Sequence, residues 1–234
     1  MRLIMVRHGE PDYARDCLTE TGRAQARACA QRLAREGISA IYASTMGRAR
    51  ETASFTAEKL GLPVTELDWM REISWGGDGI PNEGHPWTLS DRMITEENFD
   101  FTAQPWREHP YWKENEATRH FDRVAEKIDG LLAEQGYVHE GRRYFCRGGN
   151  RRTIALFSHG GSGGIVLAHL LGLPFPFVLT EMPYYFTSVI ILEFPDAPGE
   201  YIRPRLELFN DISHLGGETG APKIQQEKDN SNEE

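Results

Sequence analysis

The 234-residue chain has few cysteines, no long apolar run and no glycine-rich nucleotide loop. Its three cysteines, Cys17, Cys29 and Cys146, are an odd and sparse set without metal-ligand spacing, which argues against a disulfide framework and favours a reducing compartment. No stretch is long enough to span a bilayer, and no signal-peptide apolar region is recognised. Without a Walker loop or a GxGxxG motif, nucleotide-cofactor binding has no support. We therefore expect a cytoplasmic protein without a membrane partner or a cofactor.

The charge of the chain excludes another class of function. The formal net charge is -9, so non-specific binding to nucleic acid or to an anionic membrane is unfavourable for the molecule as a whole. A basic pocket within an acidic protein is still compatible with this total. A hydrophobic content of 39% and a charged content of 26% are those of an ordinary globular protein.

The order of apolar and helical stretches in the first third of the chain predicts an α/β fold. Strand and helix patterns alternate as β-α-β-α-β, which favours a mainly parallel sheet with right-handed crossovers. Ser44 or Thr45 is expected to cap the second helix. The expected elements are strands at 2–6, 38–43 and 64–67 and helices at 19–36 and 46–60.

The rest of the chain predicts an insertion and the remaining elements of one domain over 1–215. All five tryptophans lie within 68–115, and we interpret about 74–115 as an insertion that covers the active site or packs onto the body of the domain. Low apolar content predicts a disordered tail at 216–234. The other expected elements are a helix at 116–135, a loop or hairpin at 137–152, a strand at 153–157, a helix at 165–171, and a hairpin of strands at 187–194 and 201–209, with Pro204 restricting the last strand to an edge.

Two of the predicted strands end in a histidine followed by glycine. Arg7, His8 and Gly9 follow the first strand, and His159 follows the strand at 153–157. Because parallel strands present their carboxyl ends at one edge of a sheet, we expect the two histidines to lie side by side. Arg48, in the first turn of a helix, adds a guanidinium and a helix N-terminus. These groups predict a pocket for a phosphoryl dianion.

Taken together, these segments resemble the histidine phosphatase superfamily, the phosphoglycerate mutase-like enzymes. The resemblance spans most of the chain and implies a three-layer α/β/α sandwich with a mainly parallel sheet. The matching segments, which occur in the order typical of the family, are 6–10, 18–26, 41–53, 67–73 and 157–161.

The resemblance implies a role for each of five residues. His8 would accept the phosphoryl group as nucleophile, while Arg7, Arg48 and His159 would hold its oxygens. Glu72 would protonate the leaving oxygen and then activate water. No metal is expected, because arginines supply the positive charge that Mg²⁺ would otherwise provide. The implied activity is hydrolysis of a small phosphorylated substrate.

Several alternatives stay open on the sequence. Pro11 stands where the family often has threonine, and residues 74–79 depart from the pattern that often follows Glu72, so Asp78 and Glu83 are alternative proton donors. The same site could serve a phosphoglycerate-type mutase or a non-catalytic module that binds phosphorylated ligands.

Two further motifs compete with this interpretation. Residues 160–164 match the Gly-x-Ser-x-Gly motif of serine hydrolases, with Ser162 as nucleophile, but this leaves Arg7, His8 and Arg48 without a role. Cys146 precedes an arginine with the spacing of cysteine phosphatases, yet all three cysteines do so. We disfavour the serine hydrolase interpretation and regard the cysteine match as chance.

The histidines other than His8 and His159 lack metal-ligand spacing. They include His139 and His169, and His169 is expected to be a packed core residue because it lies on an apolar helix. The sequence therefore predicts no metal site.

Overall fold

The computed structural model describes residues 1–77, 86–101 and 104–216. Within these ranges no helix has the length and apolar character needed to cross a membrane. The predicted tail lies outside them apart from Gly216. The strands are β1 (Arg2–Arg7), β2 (Pro11–Asp12), β3 (Cys17–Leu18), β4 (Ile38–Ser44), β5 (Val64–Leu67), β6 (Tyr137–Glu140), β7 (Arg143–Cys146), β8 (Thr153–Ser158), β9 (Val189–Glu193), β10 (Tyr201–Ile202) and β11 (Arg205–Asp211). The helices are α1 (Glu20–Leu33), α2 (Gly47–Leu60), α3 (Pro86–Thr95), α4 (Pro110–Lys113), α5 (Glu116–Glu134), α6 (Gly160–Leu171) and α7 (Phe175–Glu181).

A six-stranded sheet forms the centre of the molecule. Its strand order is β11-β9-β1-β8-β4-β5, and β1, β8, β4 and β5 run parallel to one another. Strand β9 lies antiparallel between β1 and β11. The prediction of a mainly parallel sheet is thus confirmed, and two smaller sheets, β10-β7-β6 and β2-β3, lie outside it.

Side chains from both faces of β1 are buried, which places the sheet between two helical layers. Leu3 and Met5 belong to the hydrophobic cluster that contains the apolar faces of α5 and α6. Ile4 and Val6, on the opposite face, pack in a second cluster with residues of α1 and α2. A strand buried on both faces is expected to be apolar, as residues 3–6 of β1 are between its two terminal arginines. The three-layer α/β/α arrangement is confirmed.

The pairing of β1 with β8 determines where the two histidines lie. The strands are parallel and in register, with Arg7 opposite Ser158. His8 and His159 are the next residues on each chain, so both leave the sheet at the same edge, and their ring centroids are 5.1 Å apart.

The C-terminal hairpin differs from the sequence prediction. The expected strand at 201–209 is divided, because β10 pairs with β7 in a small sheet while β11 pairs with β9 at the edge of the main sheet. Pro204 stands between the two pieces and has no N–H to donate to a ladder. Pro204 therefore separates the pairing of β10 with β7 from the pairing of β11 with β9. The edge position predicted for the second strand holds for β11.

Helix α6 begins five residues earlier than predicted. It starts at Gly160 rather than at Ile165, so the glycine run forms its first turns. A Cβ at Gly161 would lie 2.6 Å from Cγ1 of Ile73, and one at Gly163 would lie 2.5 Å from the Tyr184 ring. The glycines allow neighbouring segments to approach the start of this helix closely.

The cap of α2 also differs from the prediction. Met46 occupies the N-cap position without a side-chain cap, so neither Ser44 nor Thr45 caps the helix there. Instead Oδ2 of Asp16 accepts a hydrogen bond from the Gly47 N–H at 2.7 Å. A carboxylate from a distant loop therefore satisfies this helix end.

The described part of the predicted insertion both packs onto the body and reaches the sheet edge. Trp112 is fully buried, and its ring lies 5.9 Å from that of Phe175 on α7. Trp87 lies near the start of α6, where its Cζ2 would be 3.6 Å from a Cβ built on Gly160. The same Cβ position is 3.5 Å from the guanidinium carbon of Arg7, so Trp87 borders the site next to Arg7.

Candidate active site

The His8 imidazole is held by one contact at each ring nitrogen. Its Nδ1 lies 2.7 Å from the Gly9 carbonyl oxygen, which can only accept a hydrogen bond. Its Nε2 lies 3.3 Å from Nε of Arg48, which can only donate one. Both contacts are satisfied only when the proton is on Nδ1, and we assign this tautomer from the network. The lone pair on Nε2 is then directed toward the Arg48 guanidinium.

The surroundings of His8 favour its neutral form. The side chain is buried, and burial is the main factor that lowers the pKa of His8 well below its usual value. The positive charge of Arg7 and the nearby His159 lower this pKa further, against the opposing effect of the Gly9 carbonyl. The ring therefore keeps Nε2 unprotonated in neutral solution, as a nucleophile requires.

His159 lies beside His8 with one nitrogen fixed and the other without a partner. Its Nε2 is 2.8 Å from Oγ of Ser44, and this hydroxyl also accepts from the Met46 N–H. A hydrogen bond donated by the Ser44 hydroxyl to Nε2 corresponds to the tautomer with the ring proton on Nδ1, which we assign here. Nδ1 of His159 is buried without a hydrogen-bond partner among the described residues. It is a donor that an anionic ligand could satisfy.

Burial also determines the charge of His159. Burial first, and then the charges of Arg48, Arg7 and Arg71, lower the pKa of His159 well below its usual value. Two neutral histidines thus lie among cations, so the positive charge of the site comes from its arginines.

Arg7 is oriented by contacts with Tyr184 and Phe186. Its Nη1 donates to the Tyr184 carbonyl oxygen at 2.5 Å, and its guanidinium lies 4.4 Å from the centre of the Phe186 ring. Nε of Arg7 is buried without a hydrogen-bond partner among the described residues. A second donor suited to an anion therefore lies at this edge.

Arg48 is buried in the first turn of α2 and held by Asp16. Its Nη1 lies 2.6 Å from Oδ1 of Asp16, whose other oxygen accepts from Gly47. Burial raises the pKa of Asp16, but the hydrogen bonds from Gly47 and Arg48 outweigh it and lower the pKa overall. The ionised carboxylate fixes the guanidinium that faces Nε2 of His8.

Glu72 lies at the N-terminal end of α6. Its Oε1 accepts hydrogen bonds from the backbone N–H groups of Ile73, Gly161 and Ser162, each at 3.0 Å. Helix N-termini favour such anionic groups. His159 is the N-cap residue of the same helix, so one helix end positions both side chains.

The competing sequence motifs do not form sites. The Ser162 hydroxyl is buried and donates to the Met70 carbonyl oxygen at 3.1 Å. Cys146 is buried within β7, where it is part of the hydrophobic core. Asp78 and Glu83, the alternative proton donors, lie outside the described residues.

Three residues that position the site were not predicted to do so. Asp16 holds Arg48, Ser44 orients His159, and Phe186 packs against Arg7 and 5.5 Å from the His8 ring. Ser44 follows a strand directly at the predicted edge, a signal that could have suggested a role near the site. Asp16 and Phe186 carry no such signal, since their partners are distant in sequence.

The match to known families agrees with this geometry. The family model described as histidine phosphatase superfamily (branch 1) matches residues 3–207 of the sequence. The chain belongs to this superfamily. The resemblance inferred from the sequence is thus confirmed.

Members of the superfamily with related sequences include mutases and phosphatases. The chain is 25% identical over 224 residues to a probable phosphoglycerate mutase, GpmB, of Enterobacter sp. (strain 638), covering 92% of this chain and 95% of that protein. It is 27% identical over 182 residues to the glucosyl-3-phosphoglycerate phosphatase of Mycolicibacterium vanbaalenii, covering 74% of this chain and 75% of that protein. The phosphatases among its relatives support phosphoric monoester hydrolase as its enzyme class.

A solved structure of the superfamily shares the fold. The native structure of a mycobacterial glucosyl-3-phosphoglycerate phosphatase has a TM-score of 0.61 and 27% sequence identity, covering 89% of this chain and 98% of that one.

We expect His8 to stay in one neutral tautomer from about pH 8 down to about pH 6.5, where a free imidazole is half protonated. Its pKa lies well below the usual 6.5 because the ring is buried among cations. Imidazole ¹⁵N shifts should report a protonated Nδ1 and an unprotonated Nε2 throughout this range. In denaturant, the same ring should titrate near its usual pKa.

The lowered pKa values of the two histidines should also make the free energy of unfolding depend on pH. Below about pH 6.5 the unfolded chain binds protons that buried His8 and His159 do not, so the free energy of unfolding should fall as the pH is lowered. A His8 signal that titrates near pH 6.5 in the folded protein would contradict this account of the site.

Proposed function

We propose that this chain hydrolyses a small phosphomonoester through a phosphohistidine formed on Nε2 of His8. The observation that carries the proposal is the hydrogen bonding of the His8 ring. It leaves Nε2 of the neutral imidazole unprotonated beside Arg48. A nucleophile next to a guanidinium suits attack on a phosphoryl group that the same guanidinium binds.

In the first step, Nε2 of His8 attacks phosphorus and the bond to the leaving oxygen breaks. Arg7, Arg48 and Nδ1 of His159 spread the charge of the phosphoryl oxygens. Arg48 contacts Nε2 of His8, and the buried donors of Arg7 and His159 have no partner among the described residues. Glu72, in its acid form, gives a proton to the leaving oxygen, so an alcohol departs. The electron pair on Nε2 becomes the N–P bond.

In the second step, water replaces the histidine. Glu72, now ionised, takes a proton from water as its oxygen attacks phosphorus, and the N–P bond breaks. Inorganic phosphate leaves, His8 recovers its lone pair, and Glu72 is again protonated. The helix N-terminus at Glu72 stabilises the carboxylate between the two steps.

Mutase activity is the second candidate, and the relationship to GpmB proteins favours it. The two reactions share the first step and differ in the acceptor, which is water in a phosphatase and a hydroxyl of the bound product in a mutase. With 3-phosphoglycerate as substrate, release of inorganic phosphate indicates hydrolysis, and formation of 2-phosphoglycerate indicates mutase activity.

Replacing His8 should abolish turnover of a generic aryl phosphate. We expect His8→Ala to lose at least about 10³-fold in kcat/KM, because no other group takes the place of the nucleophile. The assay uses p-nitrophenyl phosphate without added metal, and circular dichroism verifies that each variant is folded.

Matched controls in this assay are Ser162→Ala and Cys146→Ser, which remove the nucleophiles of the competing motifs. Both should keep activity wherever they fold. Full activity of His8→Ala would contradict the proposal, and loss confined to Ser162→Ala would favour a serine hydrolase. Tight phosphate binding by the wild type without any turnover would indicate a binding module.

Glu72→Gln should separate the two steps. With p-nitrophenyl phosphate, whose leaving group needs little protonation, we expect a burst of one nitrophenolate per chain followed by slow turnover. With an alkyl phosphate, kcat/KM should fall about 10²- to 10⁴-fold, the scale of general acid catalysis.

Asp78→Asn and Glu83→Gln are the controls for the assignment of the acid. Both should behave as the wild type does with the two substrates. If Glu72→Gln showed wild-type rates while one of these variants lost activity on alkyl phosphates, the proton donor would be that other residue.

A further inference from the structure

A second group of reactive side chains lies at the far end of α6. Asp129 on α5, His139 on β6 and His169 near the end of α6 each place a potential ligand atom within 4.8 Å of the other two. His169 is nine residues after Gly160, which corresponds to about 14 Å along the helix. The group is therefore separate from the site around His8.

The contacts within this cluster are short. Nδ1 of His139 lies 2.7 Å from Oδ2 of Asp129, and Nε2 of His169 lies 2.9 Å from Oδ1 of the same carboxylate. The two imidazole rings are 4.9 Å apart. Three elements thus bring two nitrogens and a carboxylate to one point, although the residues have no ligand spacing along the chain.

The cluster is accessible from a cavity. A cavity of about 200 Å³ is lined by both histidines, and also by Tyr144, Arg142 and Arg203. The side chains of Asp129, His139 and His169 are 20%, 26% and 14% exposed, so they are neither sealed in the core nor fully solvated. A small ion in this cavity can reach both histidines, which contact Asp129 directly.

We propose that Asp129, His139 and His169 form a binding site for a divalent transition metal of the Zn²⁺ type. Two imidazoles and one carboxylate are a donor set that Zn²⁺ uses when a fourth position is left open. The nitrogen–oxygen distances are slightly shorter than those between ligands of one tetrahedral ion, so small side-chain rotations would admit the metal. Hard ions such as Mg²⁺ are disfavoured because they prefer oxygen ligands.

The neighbours of the cluster fit a bound metal. The Tyr144 hydroxyl donates to Oδ1 of Asp129 at 2.9 Å, and hydrogen bonds of this kind fix the orientation of metal ligands. Arg142 and Arg203 line the same cavity and suit an anion or an anionic ligand in the fourth position.

A cluster held by hydrogen bonds alone is the competing explanation, and protonation separates the two. Without a metal, Nδ1 of His139 and Nε2 of His169 each carry a proton and donate a hydrogen bond to the carboxylate of Asp129. With Zn²⁺ bound, both nitrogens lose that proton and donate a lone pair to the metal.

The test is equilibrium dialysis of the chelator-treated full chain against Zn²⁺, with bound metal measured by mass spectrometry. We expect one Zn²⁺ per chain, and a loss of affinity of at least about 100-fold in His139→Gln and in His169→Gln. The controls are His120→Gln, which replaces a histidine of α5 outside the cluster, and His8→Ala. Both should bind Zn²⁺ with the affinity of the wild type. Absence of saturable binding, or equal affinity in all variants, would overturn the proposal.

A measurement on the wild-type protein guards against variants that do not fold. Imidazole ¹⁵N spectra with and without one equivalent of Zn²⁺ should show that Nδ1 of His139 and Nε2 of His169 lose their protons and shift to metal-bound values. If these signals are unchanged by Zn²⁺, or if the His8 signals move instead, the cluster is held by hydrogen bonds only.

Discussion

The His8 ring lies between a carbonyl oxygen that accepts from Nδ1 and a guanidinium that donates to Nε2. In the proposed mechanism His8 must stay neutral, and burial is the main factor that disfavours a proton on the ring. The cations that suit a phosphoryl group act in the same direction. The properties needed for binding an anion and for attacking it thus come from the same surroundings, and the remaining contacts of the site keep those surroundings in place.

The fold provides this arrangement mainly through two elements. The in-register pairing of β1 with β8 places His8 beside His159, and the N-terminal end of α6 holds Glu72 through backbone N–H groups. The glycines of that helix end allow Ile73 and Tyr184 to pack against it. Arg48 needs a further contact, since a buried guanidinium without a partner is costly, and Asp16 supplies it.

Much of this arrangement follows from sequence because it depends on local patterns. An apolar strand followed by His-Gly occurs twice, and parallel strands bring such ends together, so the proximity of His8 and His159 was predictable. The contacts of Asp16 with Arg48 and of Ser44 with His159 join residues 32 and 115 positions apart. Ser44 directly follows a predicted strand, which suggests a place near the site, but no local pattern identifies either partner.

Other differences have equally specific causes. The helical start at Gly160 was missed because glycine has low helix propensity, and here tertiary contacts at Gly161 and Gly163 override it. The cluster at Asp129 was missed because its members come from three elements and lack the spacing of a local metal motif.

The most direct test of the central claim is to trap the intermediate. Glu72→Gln is mixed with ³²P-labelled substrate, quenched within milliseconds in alkali, and mapped by mass spectrometry and ³¹P spectra. The account predicts one phosphoryl group per chain, stable in alkali and labile in acid, on Nε2 of His8. A label on Nδ1, on another residue, or a linkage stable in acid would contradict it.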